Sequence, residues 1–129
     1  MRKEFFDGTE VGSGYCRLLQ VGSNVFISGT GSADTDGNVV GENVYEQTKI
    51  IYQKMESSLK EVGLSLRNIV RISAYVTDIA TAGEFLKAHG EAFGQVAIAA
   101  TLVEVSGLVK GFKVEIEAQA LASLACVPA

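Results

Sequence analysis

The sequence predicts an α+β fold: a mixed β-sheet with two helices on one of its faces, in the order β-β-α-β-α-β-β. Three observations carry this. Two segments repeat apolar residues at helical spacing, strand-like runs flank and separate them, and turn signals fall at the junctions. No internal repeat, low-complexity tract or proline-rich linker divides the chain, so residues 1–129 are expected to form one domain.

Taken in order, KEFF is a candidate extra strand at the N-terminus. RLLQV and NVFISG are strand-like and are separated by Gly22-Ser23, a two-residue hairpin signal. GTGSADTDGNVVG follows, with Asp36-Gly37 marking a second tight turn. Asn43 and Glu46 have the spacing of a capping box and open a helix. Val44, Thr48, Ile51, Met55, Leu59 and Val62 form its apolar stripe, and Gly63 is its stop.

NIVRISAYVTD, residues 68–78, is a strand with Val70, Ile72, Ala74 and Val76 on one face and Arg71, Ser73, Tyr75 and Thr77 on the other. A second helix begins near Thr81, with Glu84 completing another capping box, and runs to about Phe93; Phe85, His89 and Phe93 lie together on it. AIAATLVEV, residues 97–105, reads as a buried strand despite Glu104. SGLVKG is a turn, and KVEIEAQAL is the last strand.

Two helices on one face leave the other face of the sheet uncovered, half apolar and half polar, which suits burial in an oligomer. The 47% hydrophobic content and mean hydropathy of +0.23 also exceed what a small monomer needs. Homo-oligomerisation is therefore expected. Eleven basic against fifteen acidic side chains give a net charge of −4, and no basic cluster interleaves with aromatics, so no nucleic-acid partner is expected. The N-terminus lacks the apolar core of a signal peptide, and no run approaches the roughly 18–20 apolar residues of a membrane span. Cys16 and Cys126 are too few for a disulfide framework or a zinc site, and read as reduced thiols in a cytoplasmic protein. Pro128, the only proline, lies in an apolar and loose C-terminal tail.

His89, the only histidine, is either a packed residue beside phenylalanines or a catalyst; with no second histidine and no cysteines at ligand spacing, no metal is expected. GTGSADTDG lacks the spacing of a phosphate-binding loop. The acids say more. Glu115 and Glu117 share the face opposite Val114, Ile116 and Ala118, and Glu104 comes close to one of them if SGLVKG closes a hairpin. Like charges opposed on a sheet need compensation. Either this is a solvated face with Lys113 nearby, or it is a polar cleft at a subunit interface where a carboxylate orients water. Tyr15, Arg17, Ser28, Thr30, Arg71 or Tyr75 would be the donors there.

Three strings together resemble one family, in the right order and from about Tyr15 to Ala120. NVFISGTGSADTDGNVVG is similar to its strand, Ser-Gly, loop, Asp-Gly signature; VRISAYVTDIATAGEF to its strand, Val-Thr-Asp, helix passage; and AATLVEVSGLVKGFKVEIEAQA to its C-terminal hairpin. The family is the reactive intermediate deaminase (Rid, YjgF) superfamily. The resemblance implies a chorismate-mutase-like fold and a homotrimer with ligand clefts between adjacent subunits. It also implies hydrolysis of enamine or imine intermediates to ketoacids and ammonia, without a metal or organic cofactor.

Carried over by position, the resemblance puts the cleft tyrosine on Tyr15 and the Ser-Gly pair on Ser28 and Gly29, with Thr30 beside them. It makes the Gly29 carbonyl and the Glu115 carboxylate the holders of the attacking water, a pair that can accept both of its protons. A helix asparagine of the family falls on Lys87. The arginine that binds the substrate carboxylate falls on Ala100, in AATLVEV, with Thr101 and Leu102 after it. Alanine cannot supply a bidentate, charge-assisted pair. The resemblance thus points to a branch with an altered substrate, either neutral or with its anion near Arg17. Arg17 alternates with Tyr15 and is either that substitute cation or part of an ordinary ion pair; His89 is a further candidate cleft group. The alternative to an enzyme is a non-catalytic trimer that binds or senses a small metabolite. Ribonuclease or translation-inhibitor activity, also described in the family, is disfavoured by the acidic charge.

Overall fold

The structure, a computed structural model, describes residues 1–10, 12, 14–94 and 96–124. The strands are β1 (Arg2–Phe5), β2 (Leu18–Val21), β3 (Asn24–Thr30), β4 (Ile69–Val76), β5 (Ala99–Glu104) and β6 (Val114–Leu121). The helices are α1 (Val44–Glu61), between β3 and β4, and α2 (Ala82–Phe93), between β4 and β5. All six strands join one mixed sheet in the order β1-β2-β3-β6-β4-β5, with only β4 and β5 parallel.

Local chemistry sets these elements. Gly22 takes φ +60° in the turn that pairs Val21 with Asn24, so β2 and β3 form the expected hairpin. KEFF extends it as β1. Asn43 caps α1 by accepting from the Glu46 amide at 2.8 Å, while the Glu46 carboxylate reaches back to the Glu42 amide at 3.2 Å. At the other end Gly63, at φ +77°, donates to Lys60 and lets Leu64 donate to Leu59. The stripe Val44, Thr48, Ile51, Met55 and Leu59 is buried against Ile72, Ala74, Val76, Val114, Ile116 and Ala120 of the sheet and against Phe85 of α2.

Four expectations are corrected. First, β5 and β6 do not form a hairpin. The α2 crossover lays β5 parallel along the outer side of β4, whereas β6 returns antiparallel between β3 and β4. Glu104 consequently ends beside Val76, far from any pairing with β6, and accepts from the Ile79 amide at 2.9 Å. Second, the apolar strand that looked buried is exposed in the single chain: Ala99, Ala100, Thr101 and Val103 lie open and only Leu102 is half-buried. It sits at the edge of the sheet, where no strand covers it.

Third, Thr81 and Glu84 make no capping box. The Thr81 hydroxyl donates to the Asp78 carbonyl at 2.6 Å, and Glu84 instead accepts from the Tyr45 amide at the start of α1. Fourth, a register shift between Ile69 and Arg71 puts Ile69 in the core and leaves Val70 half-buried. Cys16 is a half-buried free thiol whose Sγ donates to the Leu18 carbonyl. Cys126 and Pro128 lie outside the described residues. Among those described, no helix is long and apolar enough to cross a membrane.

Candidate functional site

The second register shift of the sheet builds the site. Ile27 pairs with Ala118 and Thr30 with Ile116, so Ser28 and Gly29 together oppose Glu117 alone. Such a bulge re-aims the backbone. Side chains then fix it. The Ser28 hydroxyl donates to the Cys16 carbonyl at 2.7 Å, and the Thr30 hydroxyl to the Ser28 carbonyl at 2.8 Å. Arg17 Nη1 donates to the Gly29 carbonyl at 2.9 Å and to Thr30 Oγ1 at 3.2 Å. The Arg17 guanidinium is itself buried and faces Glu10 across 3.6 Å.

Glu115 projects from β6 onto this bulge: Gly29 has no side chain, and the Glu115 carboxylate occupies the room beside it. Burial pushes the Glu115 carboxyl above its ordinary range; Arg17 works against that shift and Glu117 adds to it. Glu117, on the same face, accepts from the Tyr75 hydroxyl at 2.7 Å, which raises the phenol. Arg71 reaches Gln119 at 3.1 Å. The acidic face is thus compensated by donors from β4 rather than left bare.

A cavity of about 420 Å³ opens against Glu115 and Gly29, lined also by Tyr15, Arg17, Thr9, Gly31 and Phe112. Lys54, from α1, and Lys110 also line it. The volume suits a small metabolite. Among the described residues no cluster of three or more histidine, cysteine, aspartate or glutamate side chains is arranged to hold a metal ion.

Of the residues singled out in the sequence, Tyr15, Arg17, Gly29 and Glu115 meet at this cavity, with Ser28 and Thr30 behind it. Lys87, His89, Ala100, Thr101 and Leu102 do not line it within one chain. Lys87 lies over the Tyr45 ring, 4.8 Å from its centroid. His89 stacks between Phe85 and Phe93, and its Nδ1 pairs with the Tyr52 hydroxyl at 2.7 Å. Ala100 pairs with Ile72 at the sheet edge. Glu10, which faces Arg17, and Lys54, Lys110 and Phe112, which line the cavity, escaped sequence reasoning, because only the folded chain brings them there.

A helix-backed mixed sheet, with a bulge in β3 and the half-buried Glu115 carboxylate of β6 beside a metabolite-sized cavity, defines the chain as an α+β protein of this sheet order. The chain belongs to the Endoribonuclease L-PSP family, whose model matches residues 9–122, and so to the Rid/YjgF superfamily. It is 32% identical over 105 residues to a RutC family protein of Pyrococcus abyssi, covering 81% of this chain and 83% of that protein. It is 30% identical over 114 residues to a 2-iminobutanoate/2-iminopropanoate deaminase of Salmonella typhimurium, covering 83% of this chain and 86% of that protein. The crystal structure of a YjgF/YER057c/UK114 family member from Mycobacterium tuberculosis superposes with a TM-score of 0.80 at 30% identity, over 94% of this chain and 99% of that one.

Proposed function

We propose that the chain, folded as one domain in a cytoplasmic homotrimer, hydrolyses a small imine or enamine, or adds water to a related electrophile, in clefts between subunits. The observation that carries this is the Glu115 carboxylate packed against Gly29, raised toward its protonated form by burial. A water held there donates one hydrogen to Glu115 and the other to the Gly29 carbonyl, which leaves its lone pair for the imine carbon. Arg17 fixes that carbonyl through one lone pair and leaves the second for water. As the C–O bond forms, Glu115 takes the water's proton. Glu115 passes that proton to the imine nitrogen to give the carbinolamine. The carbinolamine hydroxyl then loses its proton through Glu115 to nitrogen as the C–N bond breaks, which gives a carbonyl product and ammonia.

The exposed apolar β5 is the surface that a neighbouring subunit would cover, bringing Ala100 to Leu102, Lys87 and His89 toward a cleft. With alanine at position 100 that cleft has no arginine for a substrate carboxylate at this point, so a substrate is either neutral or has its anion held by other groups than in an arginine-bearing relative.

The test follows ammonia and carbonyl release from imines generated in place, for wild type, Glu115→Gln and Ala100→Arg, with light scattering for mass. Wild-type turnover lost in Glu115→Gln, on a trimer of unchanged mass, supports the reading. Turnover that survives Glu115→Gln sinks the water-holding role, and a monomer at micromolar concentration sinks the shared cleft. No turnover in the wild type but measurable turnover in Ala100→Arg would leave a non-catalytic metabolite-binding trimer as the better reading.

A further inference from the structure

The cavity beside Glu115 is lined by three cations, Arg17, Lys54 and Lys110, against Glu115 as its one lining carboxylate. This is a marked concentration of positive charge in a chain of net charge −4. The three are not equivalent. Arg17 is committed: buried, facing Glu10, its Nη1 shared between the Gly29 carbonyl and Thr30. The two lysines are less so. Lys54 Nζ donates to the Ala33 carbonyl at 3.1 Å, and its nearest carboxylate, on Asp7, stands at 4.0 Å, beyond hydrogen-bond reach. Lys110 Nζ donates to the Gly37 carbonyl at 2.8 Å.

An ammonium has three donors, so each lysine keeps hydrogens for something else in the same cavity. Both are tethered to one loop, 33–37, which holds them in place at little further entropic cost on binding. Burial also pushes the Lys54 ammonium below its ordinary range; Asp7, Glu10 and Asp34 oppose that shift and Arg17 adds to it. A bound anion would supply the counter-charge that Asp7 supplies only from a distance.

We propose that Lys54, assisted by Lys110, binds an anionic group of the ligand, a carboxylate on a small carbonyl or imine skeleton, in the cavity that Glu115 also lines. This deepens the hydrolytic reading and rests on it only for the identity of the cavity. The anion is held from α1 and the 109–111 turn of the same chain, so the ligand is charged even though position 100 is alanine.

Calorimetric titration of the whole protein at low salt tests this without turnover. The probes are 2-oxobutanoate and 2-butanone, which differ by the carboxylate. Wild type should bind the keto acid more tightly than the ketone. Lys54→Met should weaken keto-acid binding by roughly tenfold or more, as expected for losing a hydrogen bond to a charged group. Lys54→Arg should restore most of it. Lys110→Met, at an exposed residue that does not endanger the fold, should weaken it by a smaller factor, and ketone binding should change in none of them. Equal binding of the two probes, no binding of either, or undiminished keto-acid binding in both methionine variants would overturn the proposal. Glu115→Gln separates the two readings: it should keep keto-acid binding while losing turnover. Turnover surviving in it would sink the water role and leave the lysines untouched.

Discussion

A methyl group at Gly29 would lie 3.3 Å from Oε2 of Glu115 and 3.5 Å from its Cδ, and its three nearest neighbours would all be atoms of that side chain. The glycine therefore reserves space for one carboxylate. Gly29→Ala should displace Glu115 by a few tenths of an ångström and cut turnover by about tenfold to a hundredfold, because misplacement of that order disrupts a water-holding pair. Thermal melting should change little, since nothing else is crowded. Steady-state kinetics beside a melting curve will check the split.

Glu115 should also write its titration into both rate and stability. In the proposed role of base it must be ionised, so turnover should fall with decreasing pH at a value above that of a free carboxyl. The stability sign is opposite. A folded-state pKa raised above the unfolded one gives a contribution fully present below the unfolded value near 4.5, and lost as pH rises through the folded value. Glu115→Gln should thus raise the melting temperature at neutral pH and leave it nearly unchanged below the unfolded value, as measured by melting across pH.

Gly31 is a case of real crowding: an added Cβ would stand 2.5 Å from Cε2 of Phe112 and 2.6 Å from two further ring atoms. Gly31→Ala should cost about 1–3 kcal/mol, the usual penalty of overpacking. Gly31→Ala combined with Phe112→Leu should recover part of that loss in urea unfolding.

The Tyr52 hydroxyl and His89 Nδ1 form a half-buried hydrogen bond between the two helices. Tyr52→Phe should cost on the order of 1 kcal/mol and leave turnover unchanged. Burial lowers the His89 imidazole, so its share of stability is present above the unfolded value near 6.5 and is lost as pH falls through the folded one. Denaturation at two pH values will read both effects.

Much of the architecture was legible because its signals are local. The Gly22 hairpin, the Asn43 cap, the α1 stripe and the alternation of β4 and β6 each follow from residues a few places apart. The expected hairpin of the last two strands failed on a non-local choice: the order of strands around β4 is decided by which pairing buries more, and no turn residue records it. Thr81 and Glu84 show the same limit, since the right spacing for a cap was outcompeted by Asp78 and by the Tyr45 amide.

For the site, the resemblance placed Tyr15, Gly29 and Glu115, and alternation alone put Arg17 with Tyr15. That Arg17 would spend itself on the Gly29 carbonyl and Glu10 could not be read, because both contacts depend on the bulge at Ser28. Lys54 is one place from the core residue Met55 and reads in sequence as an ordinary solvated helix lysine.

The open outer edge of β5 bears finally on recognition among copies. Its amides and carbonyls are generic, and any strand of matching length could zip onto them. What a newcomer must satisfy is the row of small and branched side chains from Ala99 to Val103. Were two members of this family to meet along this edge in one cell, that short row, rather than Glu115 and Gly29, would sort self from sibling.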